Sequence, residues 1–434
     1  MTSIPETGPP HPPPREFRTP DYFKIVVFGA ALALFWTTLH TIVLPLRVLD
    51  HVGEAQKNTY LGILTFAGLL IAMVVQPLAG AASDRSRWGW GRRRPFILMG
   101  GLLALLFLPG VGLAWAYLAL LATYCLLQIV CNLAQGPFQA FIPDLVARHK
   151  RGLASGVKGL TETLGTIAFF PLISYYLIKP YSLTGEVLWL WLALTVLGAA
   201  LLGAMITTLI LVKEAPPKEP APSPLIPTLL NTYRIDVKGN PSFLWFLGSR
   251  LLILMATGTV QTFAYYFLKD YVKVPHPEDL VWQLTATVGI CLLVTIYPGG
   301  RLSDRIGRRP VVLVSGLGAA AAISLMIFAT SSLHVLFCSG LLGVCLGGFM
   351  SSNWALATDL VPPGEEARYL GLTNLATAGA SALARLIGPA IDFFNSLGAG
   401  MGYQVMLVTC VAYLLAGSLL VLKVSEPGAE ARIA

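Results

Sequence analysis

Lys158 and Glu162 stand four residues apart in GVKGLTETLG, inside a run otherwise built of apolar and small residues. At 1.5 Å per residue, Glu162 lies about 14 Å into that run, near the middle of a bilayer if the run spans one. Ionisable groups at such depth are costly and face a cavity or a partner. Two roles fit Glu162: a carboxyl group that takes up and releases a proton, or the anionic half of a structural pair with Lys158. Arg250, about 12 Å deep by the same measure, would counter Glu162 or donate to the hydroxyls of a solute.

Other polar side chains fall in stripes. Gln128, Asn132, Gln135 and Gln139 recur at i, i+4, i+7 and i+11, one face of a helix. Arg250, Thr257, Gln261 and Tyr265 form a second stripe; Asn374, Thr377, Ser381 and Arg385 form a third, with Asp392 beyond it. Trp36 and His40 make an i, i+4 pair. Amides and ions that grip paired hydroxyls, beside an aromatic face that covers C–H groups, suit a carbohydrate better than a hydrophobic drug. The competing reading is hydrogen bonding between helices, where polar residues hold spans together. His40 in particular also reads as a hydrogen-bonded core histidine. The substrate-binding candidates are thus Trp36, His40, Gln128, Asn132, Gln135, Gln139, Arg250, Gln261, Tyr265, Asn374 and Arg385, with Glu162 for proton coupling.

These groups need helices to carry them through lipid. Of the 434 residues, 55% are hydrophobic and 12% charged, and mean hydropathy is +0.69. A soluble chain carries about 25% charged residues. Apolar runs long enough for a core of roughly 30 Å occur near 24–46, 58–82, 96–113, 115–141, 153–178, 187–212, 242–268, 280–299, 310–330, 333–357, 369–391 and 401–423. The third and fourth are divided by a turn near Gly110 and Gly112. With the N-terminus cytoplasmic, the outer loops hold only Arg47, Lys57, Lys179, Lys269 and Lys273, while Arg250 and Arg385 fall inside spans. The positive-inside bias therefore puts both termini in the cytoplasm of a multi-pass cell-membrane protein. The net charge of +8 is a topology signal and not a nucleic-acid footprint. The six cysteines all fall in apolar spans without a CxxC pair, as small core residues do. No HExxH, GxSxG, Walker loop or metal cluster appears, so neither an enzyme, a bound cofactor nor ATP-driven chemistry is expected.

The chain is a repeat of itself. QPLAGAASDRSRWGWGRRRPFIL, from Gln76, returns as YPGGRLSDRIGRRPVVL, from Tyr297, about half the chain later. QGPFQAFIPDLVARHKRGLASG and MSSNWALATDLVPPGEEARYLGL repeat at nearly the same offset. Repeats of this length in an apolar chain point to two joined membrane bundles, the layout of a secondary transporter. The expected division is a disordered tail at 1–23, a six-helix bundle at 24–212, a cytoplasmic linker at 213–241 rich in proline, a second six-helix bundle at 242–423, and a tail at 424–434. The carboxylates and guanidinium groups of the arginine turns (Asp84, Arg85, Arg93, Asp144, Asp304, Arg305, Arg308 and Asp359) are expected to form cytoplasmic charge pairs that hold an inner gate shut when the site faces outward; the alternative is that the turns only anchor the topology.

Gly-x-x-x-Asp-Arg-x-Gly-Arg-Arg is the signature loop of the major facilitator superfamily, which the chain resembles in both halves. VQPLAGAASDRSRWGWGRRRPFI and NLAQGPFQAFIPDL resemble more narrowly the sucrose transporter branch, itself similar to the glycoside–pentoside–hexuronide:cation symporters. The resemblance implies an all-α fold of twelve transmembrane helices in two pseudo-symmetric bundles. It also implies alternating access, a monomeric carrier, and uptake of a sugar or glycoside with a proton. The alternative is a proton-driven exporter of hydrophobic or drug-like compounds. One position departs: plant sucrose transporters place an arginine after the Gly-Pro of the fourth span, where this chain has Gln139.

Overall fold

A computed structural model describes residues 19–147, 150–214, 240–362 and 365–425. Most of the expected linker and both tails lie outside the described residues. A short helix, Thr19–Lys24, leads into twelve long helical elements. They are α1 (Val27–His51), α2 (Glu54–Asp84), α3 (Arg94–Leu113), α4 (Tyr117–Leu145), α5 (Arg151–Ile173), α6 (Val187–Leu211), α7 (Pro241–Tyr271), α8 (Pro277–Ile306), α9 (Arg308–Met326), α10 (Ser332–Asp359), α11 (Glu366–Leu383) and α12 (Met401–Val421). No strand occurs among the described residues.

Local chemistry sets where these helices start. Asn240 accepts from the Phe243 N–H at 3.1 Å just ahead of Pro241, and Ser331 accepts from the His334 N–H at 3.3 Å. Each satisfies one of the donors that a helix start leaves bare. Two boundaries differ from expectation. Gly110 and Gly112 stay helical, packed against Thr123 and Trp191 of neighbouring helices, and the break falls at Ala114–Ala116 instead. The Ser-Asp-Arg motifs belong to the last turns of helices, since α2 ends at Asp84 and α8 runs past Asp304 to Ile306.

Packing repeats with the sequence. In the first half α1 meets α5 and α6, α2 meets α4, and α3 meets α4 and α6. In the second, α7 meets α11 and α12, α8 meets α10, and α9 meets α10 and α12. Every pair recurs six helices later. The halves join where α2 packs on the α11 region and α5 on α8, again equivalent pairs. Gly62 and Gly388 make the first junction possible: a Cβ at either would meet the backbone carbonyl of the facing helix, Arg385 and Asn58 respectively.

Ten of the twelve helices are long and apolar enough to cross a membrane by themselves; α5 and α11 are not among them. Those two occupy equivalent places, and both contribute polar side chains to the space between the halves. A helix whose polar face looks into water needs less apolar surface than one ringed by lipid. α5 continues through a π-helical turn, Ser174–Ile178, into Lys179–Thr184, and α11 through a 3₁₀ turn, Ala384–Ile387, into Gly388–Leu397.

The two faces of the molecule differ. The face carrying the arginine turns also carries both described ends. At the opposite, sealed face the halves are tied together. Lys57 bridges to Asp270 (2.7 Å), Lys269 to Glu54 (2.7 Å) and Lys179 to Asp279 (2.6 Å). Asp392 accepts from Asn58 Nδ2 (2.8 Å) and the Thr59 N–H (2.6 Å), so a carboxylate of one half caps α2 of the other. Toward the arginine face, Gly152, Gly156 and Gly159 of α5 look into open space.

Candidate functional site

Two adjoining cavities occupy the middle of the molecule. The larger, about 540 Å³, lies between the halves and is walled by α1, α5, α7, α8, α10, α11 and α12, with Met326 at the end of α9. Its polar lining is Thr37, Thr41, Glu162, Thr163, Thr166, Thr257, Gln261, Thr285, Ser339, Thr377 and Ser381. Leucine, valine and methionine of α7, α8, α10 and α12 make up most of the remainder. The smaller, about 130 Å³, sits inside the first half, among Gly29, Trp36, Gln135, Gln139, Lys158 and Glu162. Ala33 and Glu162 border both.

Glu162 therefore stands where the two spaces meet. Its carboxylate accepts from Lys158 Nζ at 2.9 Å, an i, i+4 pair on one helix. About a quarter of each side chain is exposed to the open space. Gly29 of α1 makes room for that carboxylate, since a Cβ there would overlap Oε1. Lys158 and Glu162 are the only ionisable side chains among those lining either cavity.

Trp36 is held on three sides. His40 stacks on it with centroids 5.2 Å apart and planes 19° apart. Phe35 and Tyr124 meet it edge-on, at 5.2 and 6.3 Å. An indole so fixed is a rigid apolar platform beside the amides of Gln135 and Gln139.

Several candidates lie elsewhere. Gln128 and Asn132 are buried: Asn132 Nδ2 donates to Gln128 Oε1 (3.0 Å), and Gln128 Nε2 donates to the Tyr124 hydroxyl (2.8 Å). His40 Nε2 meets that same hydroxyl at 2.8 Å. The amide stripe is thus divided, its first half spent on a chain of hydrogen bonds behind Trp36 and its second half facing the small cavity. Arg250 does not pair with Glu162. It donates to Thr377 Oγ1 (3.0 Å) and to Asn353 Oδ1, and its guanidinium lies over the Trp354 ring (5.7 Å). Tyr265 faces away from both cavities and donates to the buried Glu278 carboxylate at 2.7 Å. Arg385 is buried and donates to the Ser381 carbonyl. Asn374 is exposed and borders neither cavity. Of the candidates, Trp36, Gln135, Gln139, Glu162 and Gln261 come together.

The arginine turns pair within each half. Arg93 reaches Asp84, and also Asp144 at 3.0 Å, while Arg92 holds the second oxygen of Asp144 at 2.8 Å. Arg308 repeats this with Asp304 (3.1 Å) and Asp359 (2.5 Å). The arginine and its distal aspartate are 51 residues apart in both copies. Arg85 follows α2, and Arg305 is exposed in the last turn of α8. In this arrangement, with the opposite face sealed, these pairs lie within each half and do not cross from one half to the other.

Glu214 escaped the sequence reading. Its carboxylate accepts the N–H groups of Arg92, Arg93 and Arg94 at 2.8–2.9 Å. It thereby ties the end of α6 to the positive end of the α3 dipole. The only local hint is that the first turn of α3 has no acid of its own. The sealed-face residues Lys57, Asp270 and Asp392 were missed as partners because each finds its mate in the other half.

Residues 25–422 match the MFS/sugar transport protein family. A sucrose transport protein of Arabidopsis thaliana is 27% identical over 136 residues, 27% of each chain. One of Oryza sativa is 32% identical over 122 residues, 23% of each chain. Solute carrier family 45 member 4 of Mus musculus is 30% identical over 156 residues, 32% of this chain and 19% of that one. The matched segments thus span only about a quarter of these relatives. Among solved structures, a D-xylose–proton symporter superposes with a TM-score of 0.70 at 17% identity, over 93% of this chain and 97% of that one. An inward-facing, occupied bacterial homologue of the human lysosomal transporter Spinster gives 0.71 at 15%, over 94% and 97%. At these identities the structures speak for the fold alone. The protein belongs to the MFS/sugar transport protein family and is a multi-pass membrane transporter of the major facilitator fold, not an enzyme.

Proposed function

We propose that the protein is a secondary active carrier that works by alternating access and takes up a sugar or glycoside together with a proton. One observation carries this reading: a cavity between two equivalent halves, tied shut at one face, meets at the Glu162 carboxyl group a smaller cavity lined by the Trp36 indole and the amides of Gln135 and Gln139. Trp36 would cover the apolar face of a sugar ring, while Gln135, Gln139 and Gln261 would take its hydroxyls. Glu162 would hold the coupling proton. Arginine-rich loops favour the cytoplasm, so the sealed face is taken as the outer one, the open cavity as facing inward, and both termini as cytoplasmic. The sucrose transport proteins among the relatives support a sugar as substrate.

The test is transport by the purified protein in liposomes, as a monomer, with an imposed pH gradient and labelled sucrose and other sugars. Accumulation of one sugar above its equilibrium level, lost when the gradient is collapsed, is the expected result. In Glu162→Gln, accumulation should vanish while exchange of labelled for unlabelled sugar persists. The apolar wall supplied by α7, α8, α10 and α12 favours a second reading, export of hydrophobic compounds. Extrusion of dye with no uptake of any sugar would establish that one instead.

A further inference from the structure

Half of the amide stripe on α4 reaches neither cavity, and Tyr124 is what it meets instead. Tyr124 is fully buried, edge-on to both Trp36 (6.3 Å between centroids) and His40 (5.9 Å). Gly68 of α2 gives the phenol ring its place, since a Cβ there would overlap it. The hydrogen bonds around its hydroxyl run in one direction. Asn132 Nδ2 donates to Gln128 Oε1 at 3.0 Å, so the other end of that amide, Nε2, donates to the Tyr124 oxygen at 2.8 Å. The phenol hydrogen is left for His40 Nε2, also at 2.8 Å. Sealed from solvent, the hydroxyl would otherwise keep its own hydrogen unbonded. His40 therefore accepts at Nε2 and carries its proton on Nδ1. An i, i+4 contact on one helix is weak by itself, but the stack of His40 on Trp36 is tied from a second helix.

We propose that Tyr124 is the positioning residue of the sugar platform: its hydroxyl fixes the ring of His40, and His40 fixes the plane of the Trp36 indole. The proposal rests on the reading of Trp36 given above. His40 covers one face of the indole, and Trp36 borders the small cavity, so a solute meets the indole where His40 leaves it free. Contact with an aromatic ring depends on its orientation. A platform free to turn therefore binds a sugar less tightly. Tyr124, Gln128, Asn132, His40 and Trp36 all belong to the first half, so the chain of bonds persists as the halves move and holds the indole alike in every arrangement. Its loss weakens binding uniformly, which raises KM and leaves kcat in place.

Tyr124→Phe keeps the ring against Gly68 and removes only the hydroxyl. In the full chain carrying fluorinated tryptophan, the fluorine resonance of Trp36 is assigned by its absence in Trp36→Phe. The unaltered protein should show one narrow line there, and Tyr124→Phe should shift or split it. His40→Ala should do the same, and Tyr124→Phe/His40→Ala should add nothing to His40→Ala, as expected of residues that act in series. Gln128→Leu should have a smaller effect, because the hydroxyl still reaches His40. Nitrogen spectra of isotopically labelled histidine should place the His40 proton on Nδ1 in the unaltered protein. In liposomes, Tyr124→Phe should raise the KM for labelled sucrose about fivefold, the loss of roughly one hydrogen bond, with kcat unchanged. A Trp36 line that Tyr124→Phe leaves in place, or effects of Tyr124→Phe and His40→Ala that add, would overturn the proposal. Sucrose uptake indifferent to Trp36→Phe, while Tyr124→Phe still moves the Trp36 line, would overturn only the reading beneath it.

Discussion

Charges at the two faces of this transporter are deployed in opposite ways. On the arginine face Arg93 and Arg308 gather the carboxylates of their own halves. On the sealed face Lys57, Lys269, Lys179 and Asp392 reach into the other half. An interaction that stays within a rigid body contributes to folding but is indifferent to how the bodies sit. One that crosses between them biases their equilibrium by its own free energy. The same residue types thus act as staples on one side and as a lock on the other.

Substitutions can break that contrast. The largest expected effect is Arg93→Ala. The Arg93 side chain is 4% exposed, and its loss leaves Asp144 and the Ser83 hydroxyl short of partners. About 3 kcal/mol of stability should disappear. Thermal unfolding would register this as a lower Tm, with the ratio of impermeant-maleimide labelling of Thr37→Cys, in the larger cavity, from the two faces unchanged. Arg308→Ala, at an arginine 17% exposed, should remove about 1–2 kcal/mol of stability and so lower Tm less. A shift in the labelling ratio in either variant would mean that the turns gate after all.

Asp392→Ala comes next and should do the reverse. Removing the cap that Asn58 and Thr59 donate to should cost about 1–2 kcal/mol of the sealed arrangement. That corresponds to roughly tenfold more labelling of Thr37→Cys from the sealed face. Asp392→Asn, which keeps an acceptor oxygen, should fall between it and the unaltered protein. Lys179→Ala should have the smallest effect: its bridge to Asp279 is partly exposed and screened by salt. High salt should mimic that variant while leaving the effect of Asp392→Ala largely intact.

Much of this organisation is legible in the chain itself. Repeated motifs and twelve apolar runs give the fold because both follow from local hydrophobicity and duplication. Lys158 and Glu162 could be paired from spacing alone, since i and i+4 are neighbours on a helix. Gln135 and Gln139 could be placed on one face with Gln128 and Asn132, but periodicity does not say which part of that face another helix covers. Tyr124, one turn before Gln128, decides it by drawing the first two amides and His40 into the core. Arg250 could be recognised as buried; its partner Asn353 lies 103 residues on, beyond any local pattern. Asp392 and Asn58, 334 residues apart, are partners only because the halves fold against each other.

Distances between spin labels at Leu153 on α5 and Leu302 on α8, both exposed, would test the central claim, that the halves are rigid bodies held in one arrangement by the sealed-face lock. The account predicts one dominant distance in the unaltered protein. A second, shorter population should appear in Asp392→Ala, as the arginine face closes while the opposite face opens. A single distance, unmoved by that substitution, would contradict it.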